Sequence, residues 1–378
     1  MVRMKAARVA SLVAVGVLAF GAHAACGDDS DDGGDSSGSS SGDSSGSASG
    51  KVGVILPDTT TSPRWEANDR PSLEAAFKAA GVDYDIQNAE GDTGKFGTIC
   101  DAMINQGVKV LMIVNLDSES GAACLKKAAD AGVQSIDYDR LTLGGGASYY
   151  VSFDNVEVGR LMGTGLTECL DADGKTKANI IYINGDPNDN NAALFKSGYE
   201  EALKDKIDSG DYTLVGDQSG FWDATKAGDA YEQLYTQNKG KIDGVVSAND
   251  TMAGGIIARM KSNGTAGQVP VTGQDASTEG LQNILLGYQC GTVYKNTNLE
   301  AKAASDLAIA LINGEDASSL ATGSVKDTET GEDVPSSLAT PVWVTKDKVQ
   351  TVIDAGFAKA ADICTGPVAK ACTEAGIK

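Results

Sequence analysis

The chain has almost no histidine. Its 378 residues contain one, His23, and that one lies in an N-terminal stretch that reads as a removable leader. A mature protein without histidine has no Ser–His or Cys–His pair with which to activate a nucleophile. The seven cysteines include no CxxC pair, so the usual spacing of a zinc site is missing too; no metal and no cofactor are expected. Positive charge is scarce, with 31 Lys and Arg against 52 Asp and Glu and a net charge of −21. That balance argues against nucleic acid or an anionic membrane as a partner. The N-terminal apolar stretch, residues 9–22, is too short to span a bilayer comfortably.

What the N-terminus does contain is an export pattern. Arg3, Lys5 and Arg8 precede the apolar stretch and small residues follow it, as in a secretory signal. Two cleavage readings are open. Ala22-His23-Ala24 fits ordinary secretion, which would release a soluble periplasmic or secreted protein. Ala24-Ala25-Cys26 fits a lipobox, with Cys26 acylated and His23 standing where an aliphatic residue is usual. Residues 27–50 are almost purely Gly, Ser, Asp and Ala and cannot bury enough apolar surface to fold. Such a chain spans roughly 25–30 Å, which suits a tether and favours the lipoprotein. The expected division is a signal peptide at 1–25 and a lipidated Cys26 with its tether at 26–50, the protein being held outside the cytoplasm on the cell membrane. Six acidic residues fall in the tether, so the folded part is less extreme in charge.

From residue 51 the pattern is strand, loop, helix, repeated. Strands are expected at 51–56, 84–88, 108–115 and 133–138, with helices at 66–80, 96–106 and 119–131. The run at 108–115 is continuously apolar, as in a strand buried on both faces. Such alternation argues for a parallel doubly wound sheet. The pattern restarts with strands at 179–184, 212–216, 244–247, 269–272 and 291–294, so two α/β lobes with a cleft between them are expected. A helix at 299–312, a polar loop at 316–334 and a helix at 346–355 complete the chain.

In open parallel sheets, ligands bind beyond the carboxyl ends of the strands. Those ends carry Arg64 and Trp65, then Asp139 and Arg140, then Asp189 and Asn191, then Trp222, Asn249, Asp250, Asp275 and Lys295. Planar carboxylate, amide and guanidinium groups satisfy neighbouring sugar hydroxyls in pairs, and tryptophan packs on the C–H face of a pyranose. The inventory therefore suits a neutral polyol. Each residue also has a bland reading. Asp250 alone reads as a helix N-cap, Asp139 with Arg140 as a structural ion pair, Lys295 as solvated, and Trp222 as packing. Trp343, the third tryptophan, falls in a later strand-like stretch.

The same segments carry a family resemblance. They are Arg64-Trp65, Ser135-Ile136-Asp137-Tyr138-Asp139-Arg140, Ser152-Phe153-Asp154-Asn155, Asp189-Asn190-Asn191-Ala192, Ser247-Ala248-Asn249-Asp250, Gly273-Gln274-Asp275-Ala276 and Val293-Tyr294-Lys295. Over 51–357 the chain resembles the periplasmic sugar-binding proteins, the type I solute-binding proteins of ABC importers, and among these the xylose-binding type. The resemblance implies an α/β type I periplasmic-binding-protein fold, with two doubly wound parallel-sheet lobes joined by a three-strand hinge. Residues 51–154 with 296–322 would form the N-terminal lobe and 155–295 with 341–378 the C-terminal lobe. Arg64, Asp139 and Arg140 would bond the sugar from the first lobe, with Trp65 stacking on it. Asn191, Asn249, Asp275 and Lys295 would bond it from the second, Trp222 would cover the other face, and Asp189 would hold its loop or touch ligand. The segment Ser219-Gly220-Phe221-Trp222-Asp223-Ala224 departs from the xylose-binding pattern towards broader-specificity relatives. Xylose is placed first, with glucose, arabinose or galactose behind it.

Beyond Cys26, six cysteines remain, and an even number outside the cytosol fits three disulfides among fifteen connectivities. Right-handed crossovers put the helices carrying Cys100 and Cys124 on one face of the first sheet, which predicts Cys100–Cys124. Cys364–Cys372 is then the local pair and leaves Cys169–Cys290. The expected function is monosaccharide capture by hinge closure and delivery by a monomeric protein to an ABC permease. A sensor presenting sugar to a membrane receptor is one rival. A glycosidase using two of Asp139, Asp189 and Asp275 is the other.

Overall fold

The computed structural model describes residues 50–378. The leader, His23, Cys26 and nearly all of the 26–50 tether lie outside the described residues. From β1 (Lys51–Leu56) the chain runs through α1 (Arg70–Ala80), β2 (Asp83–Asn88), α2 (Thr93–Asn105), β3 (Val110–Ile113), α3 (Ser118–Asp130), β4 (Gln134–Tyr138) and β5 (Tyr149–Phe153). The strands pair in parallel in the order β2-β1-β3-β4-β5. In β1, Val52, Val54 and Leu56 enter the core on one face of the sheet while Ile55 enters the core on the other, the period of two that a strand imposes. All four residues of β3 are buried, which accounts for the apolar run there.

The second lobe repeats the plan with α4 (Asn155–Ala172), β6 (Ala178–Asn184), α5 (Asn190–Asp208), β7 (Tyr212–Ser219), α6 (Ala224–Gln237), β8 (Gly244–Ser247), α7 (Asp250–Asn263), α8 (Thr278–Leu285) and β9 (Thr292–Tyr294). Its parallel sheet has the order β7-β6-β8. It continues through a single parallel bridge from Val245 to Val271 and another from Gln274 to Val293. The expected strand at 269–272 is thus reduced to one bridge residue. Pro270, which has no N–H to give a ladder, only accepts a hydrogen bond from Val245.

Three crossings join the lobes. After β5 the chain enters α4 in the second core. After β9 it returns in α9 (Thr297–Asn313), whose Ala301, Ala304, Leu307 and Ala308 pack with Val52, Leu73 and Phe77 of the first. It then forms β10 (Gly323–Lys326) and β11 (Asp333–Ala339), and crosses back into β12 (Val342–Val344), antiparallel to β9. The polar loop expected at 316–334 is in part this hairpin. β11 adds parallel to β5, and β10 closes the edge antiparallel to it. As an edge strand, β10 is largely exposed, so polar residues suffice and no apolar alternation marks it. Helices α10 (Val349–Asp354), α11 (Ala360–Ile363) and α12 (Val368–Ala375) pack with α8 in a C-terminal core.

The cysteine sulfurs pair as Cys100–Cys124 between α2 and α3, Cys169–Cys290 from α4 to the turn before β9, and Cys364–Cys372 between α11 and α12. Their Cα–Cα distances are 6.0, 6.4 and 5.8 Å, within the range a disulfide requires.

Candidate functional site

The carboxyl ends of both sheets face one narrow cleft. Ten of the eleven side chains singled out at the strand ends, all but Asp250, line it, together with Thr61, Ser62, Phe195 and Gln274. Helix capping explains part of the placement. The Asp189 side chain accepts from Asn191 N at the start of α5, and Asn249 Oδ1 accepts from Met252 N at the start of α7. Asn249, not Asp250, is the cap. Asp250 instead ties down the following loop: its Oδ1 accepts from Gln289 Nε2 at 2.7 Å and Thr292 Oγ1 at 2.9 Å, and its Oδ2 from Ser277 N at 2.9 Å. Burial, with the nearby Asp275 charge, raises the Asp250 carboxyl to about 7 in spite of those donors.

Asp139 and Arg140 do not pair with each other. The Asp139 carboxylate accepts from Arg64 Nη1 at 2.6 Å and from Asn191 Nδ2 at 3.1 Å, and Lys295 Nζ lies 3.7 Å away. Burial alone would raise its pKa, but Arg64, Lys295 and Arg140 hold it well below the usual carboxylate range. Its backbone is left-handed, φ +64°, which a non-glycine residue adopts at a cost of order 1–3 kcal/mol. Three donors fix that conformation through its carbonyl: Ser152 Oγ, Tyr150 OH and Asn191 Nδ2, at 2.8, 3.0 and 3.0 Å.

Arg64 is held from behind. Its Nε and Nη2 donate to Asp69 at 2.9 and 2.7 Å, Nη2 also donates to Glu300, and Tyr138 OH donates to Asp69 at 2.5 Å. Burial would lower the Arg64 pKa, yet the three carboxylates around it keep it raised. The Glu300 carboxyl is raised well above its ordinary value by burial, which outweighs the pull of Arg64, with repulsion from Asp139 and Asp69 adding to it. The Arg64 guanidinium also lies 4.4 Å from the centre of the Trp65 ring.

Across the cleft, Arg140 donates through Nη1 to Asn115 O at 3.1 Å, and its Nε stands 3.0 Å from Asp189 Oδ2 without its hydrogen directed at that oxygen. Ser62 Oγ donates to Asp275 Oδ2 at 2.9 Å, Asn249 Nδ2 donates to Thr61 O at 3.1 Å, and Lys295 Nζ lies 3.4 Å from Asp275 Oδ1. Asp275 and Trp222 are left-handed like Asp139, with φ +99° and +57°. The Trp222 ring sits edge-on to Phe195 and against Gly185, where any Cβ would come within 2.0 Å of it. Among the described residues, four buried lining atoms have no hydrogen-bond partner: the donors Arg140 Nε and Trp222 Nε1, and the acceptors Gln274 Oε1 and Asp275 Oδ1.

Sequence reasoning missed Asp69, Glu300, Gln274, Ser62 and Thr61. Gln274 stood in a quoted motif and was legible as a lining residue from its place beside Asp275. Asp69 and Glu300 gave no signal, because each is an acid in a helical stretch until Arg64 is placed against it.

Residues 52–316 match the family described as periplasmic binding protein domain. The chain is 34% identical over 317 residues to the D-xylose-binding periplasmic protein of Escherichia coli, covering 83% of this chain and 92% of that protein. It is 35% identical over 329 residues to the multiple sugar-binding periplasmic receptor ChvE of Rhizobium radiobacter, covering 82% and 91%. Its fold superposes with a TM-score of 0.75, at 28% identity, on a carbohydrate transporter solute-binding protein from Chloroflexus aurantiacus in complex with D-glucose, covering 82% of this chain and 97% of that one.

Proposed function

The chain belongs to the periplasmic binding protein domain family and has its two-lobed type I fold, and from that premise we propose that it captures a neutral monosaccharide between its lobes for delivery to an ABC permease. The observation that carries the reading is the set of four buried cleft atoms without an aligned hydrogen bond among the described residues, the donors Arg140 Nε and Trp222 Nε1 and the acceptors Gln274 Oε1 and Asp275 Oδ1, of which Arg140 Nε and Asp275 Oδ1 have only ion-pair contacts. A sugar hydroxyl donates and accepts at once, so a polyol satisfies both kinds, whereas an anion or a cation would satisfy only one. Asp139 and Arg64 are already paired, so they present fixed dipoles rather than a net charge. Trp65 and Trp222 supply apolar faces for the ring. A carboxylate kept ionised by Arg64 and Lys295 suits binding and not proton transfer, and the family is one of binding proteins. No chemistry on the sugar is proposed.

The first choice of sugar is xylose, with glucose, arabinose or galactose behind it. Closure is the mechanism: the closed form completes the sugar's hydrogen bonds, so ligand shifts the population towards it. Acylation at Cys26 would hold the protein outside the membrane beside its permease, and mass spectrometry for a diacylglyceryl Cys26 tests that part. One specific likeness favours a second reading, a receptor that presents sugar to a membrane sensor, since the Rhizobium radiobacter relative is named a receptor. A pull-down with permease and sensor candidates separates the two.

A thermal-shift and calorimetric panel of monosaccharides tests the cargo. Binding raises the melting point with the ratio of ligand concentration to Kd. If no aldose shifts it, the reading fails.

A further inference from the structure

Ser62, Arg64 and Asp275 face two cavities. On one side they line the central cleft, and on the other a second cavity that opens to solvent. The Ser62 Oγ to Asp275 Oδ2 hydrogen bond at 2.9 Å crosses between them. A ligand can replace a single hydroxyl–carboxylate contact when one of its oxygens accepts from the serine and one of its hydroxyls donates to the carboxylate.

Beyond that contact lie uncharged polar groups and one aromatic ring. Asn68 and Asn298 supply amides, Ser277 and Thr278 supply hydroxyls, and Phe357 supplies a half-buried ring. The ring is steadied by Tyr294, edge-on at 5.0 Å. The rim charges Lys359 and Asp362 are opposite in sign and leave no net field for an ionic ligand. The other large opening beside the site, next to Asp189, is lined by Asp117, Glu119 and Glu329 and has no aromatic ring, so it offers a sugar no face on which to pack. Neutral hydrogen-bonding groups around one aromatic ring are what a second sugar ring requires.

We propose that the chain also takes a disaccharide, with one ring in the central cleft, the glycosidic oxygen accepting from Ser62 while a hydroxyl on an adjoining ring carbon donates to Asp275, and the second ring against Phe357. The proposal rests on the reading of the central cleft as a monosaccharide site. It makes Ser62 the residue that decides whether the ligand ends at one ring.

Titration calorimetry of the full chain with xylose and glucose, and with xylobiose, cellobiose and maltose, tests it. At least one disaccharide is expected to bind within about tenfold of its parent sugar. Phe357→Ala should weaken that disaccharide by about tenfold and leave the monosaccharide unchanged. Thr278→Trp, at an exposed position at the start of α8, fills the cavity without opening a core and should abolish disaccharide binding alone. Binding of a monosaccharide with no disaccharide binding overturns the proposal and leaves the monosaccharide reading standing. Equal loss of both ligands in both variants overturns it as well. Binding of neither class of sugar removes both readings together.

Discussion

Arg140 of the first lobe and Asp189 of the second face each other across the cleft, Nε to Oδ2 at 3.0 Å, both almost fully buried. Asp189 also caps α5 through its side chain. Those two tasks are separable, because asparagine caps a helix as well as aspartate does. Asp189→Asn is therefore expected to keep the fold while removing the charge that balances Arg140. Sugar affinity should fall by about tenfold or more, since an unpaired buried charge penalises the closed form, with a melting point shifted by no more than about 2 °C. Calorimetry and melting on the same variant check it. Unchanged affinity would mean that the pair plays no part in closure.

Asp275 offers a second, sharper test of the site. Its Oδ2 accepts from Ser62 and its Oδ1 has no aligned donor, so one oxygen is free for ligand. Asp275→Ala should weaken sugar binding by about 1–3 kcal/mol, the usual consequence of leaving hydroxyls unpaired. The backbone at this position is left-handed, which aspartate tolerates better than alanine, so the melting point of Asp275→Ala is measured beside its affinity. An affinity equal to that of the unaltered chain would show that the sugar sits elsewhere.

The strand ends made most of this cleft legible, and the reason is topological. In a doubly wound sheet every carboxyl end opens on the same side, so Arg64, Asp139, Asp189, Asn249 and Lys295 had to converge once the strands were placed. What supports those residues was not legible. Glu300 reads as a solvated acid on the amphipathic 299–312 helix, and only contact with Arg64, 236 residues away in the chain, buries it. The β10 hairpin was hidden for the opposite reason, since an edge strand needs no apolar face. Asp250 was misread as a cap because its neighbour Asn249 already had that place.

Glu300 leads to a prediction that separates charge from shape. Burial raises its carboxyl well above its ordinary value, and its Oε1 has no hydrogen-bond partner among the described residues. Glutamine has the shape of the neutral acid and still offers Arg64 an acceptor. Glu300→Gln should therefore match the unaltered protein in melting point and in sugar affinity. Glu300→Ala should lose about 1–3 kcal/mol of stability, because it leaves an Arg64 donor unsatisfied in the core. Chemical denaturation of the two variants side by side decides the matter, and equal destabilisation would show that the ionised form is the one the fold uses.

The last prediction concerns pH and runs against the usual behaviour of carboxylates. Burial raises both Asp137 and Asp250 to about 7 in the folded chain, whereas in the unfolded chain they titrate near the ordinary aspartate value of about 3.9. Between those limits the folded state holds protons that the unfolded state has released. Stability must then fall as pH rises from about 4 to about 7. Asp139 acts in the opposite sense. Its depressed pKa contributes stability above the ordinary aspartate value, and that stability is lost only in strong acid. General repulsion from the excess negative charge also favours acid, but salt screens repulsion between exposed charges and hardly touches buried groups. A melting point at about pH 5 higher than at about pH 8, with most of the difference surviving in about 0.5 M salt, is the expected result. A difference that vanishes in salt would assign the effect to surface charge, and a melting point that rises with pH would mean that Asp137 and Asp250 are ionised in the fold.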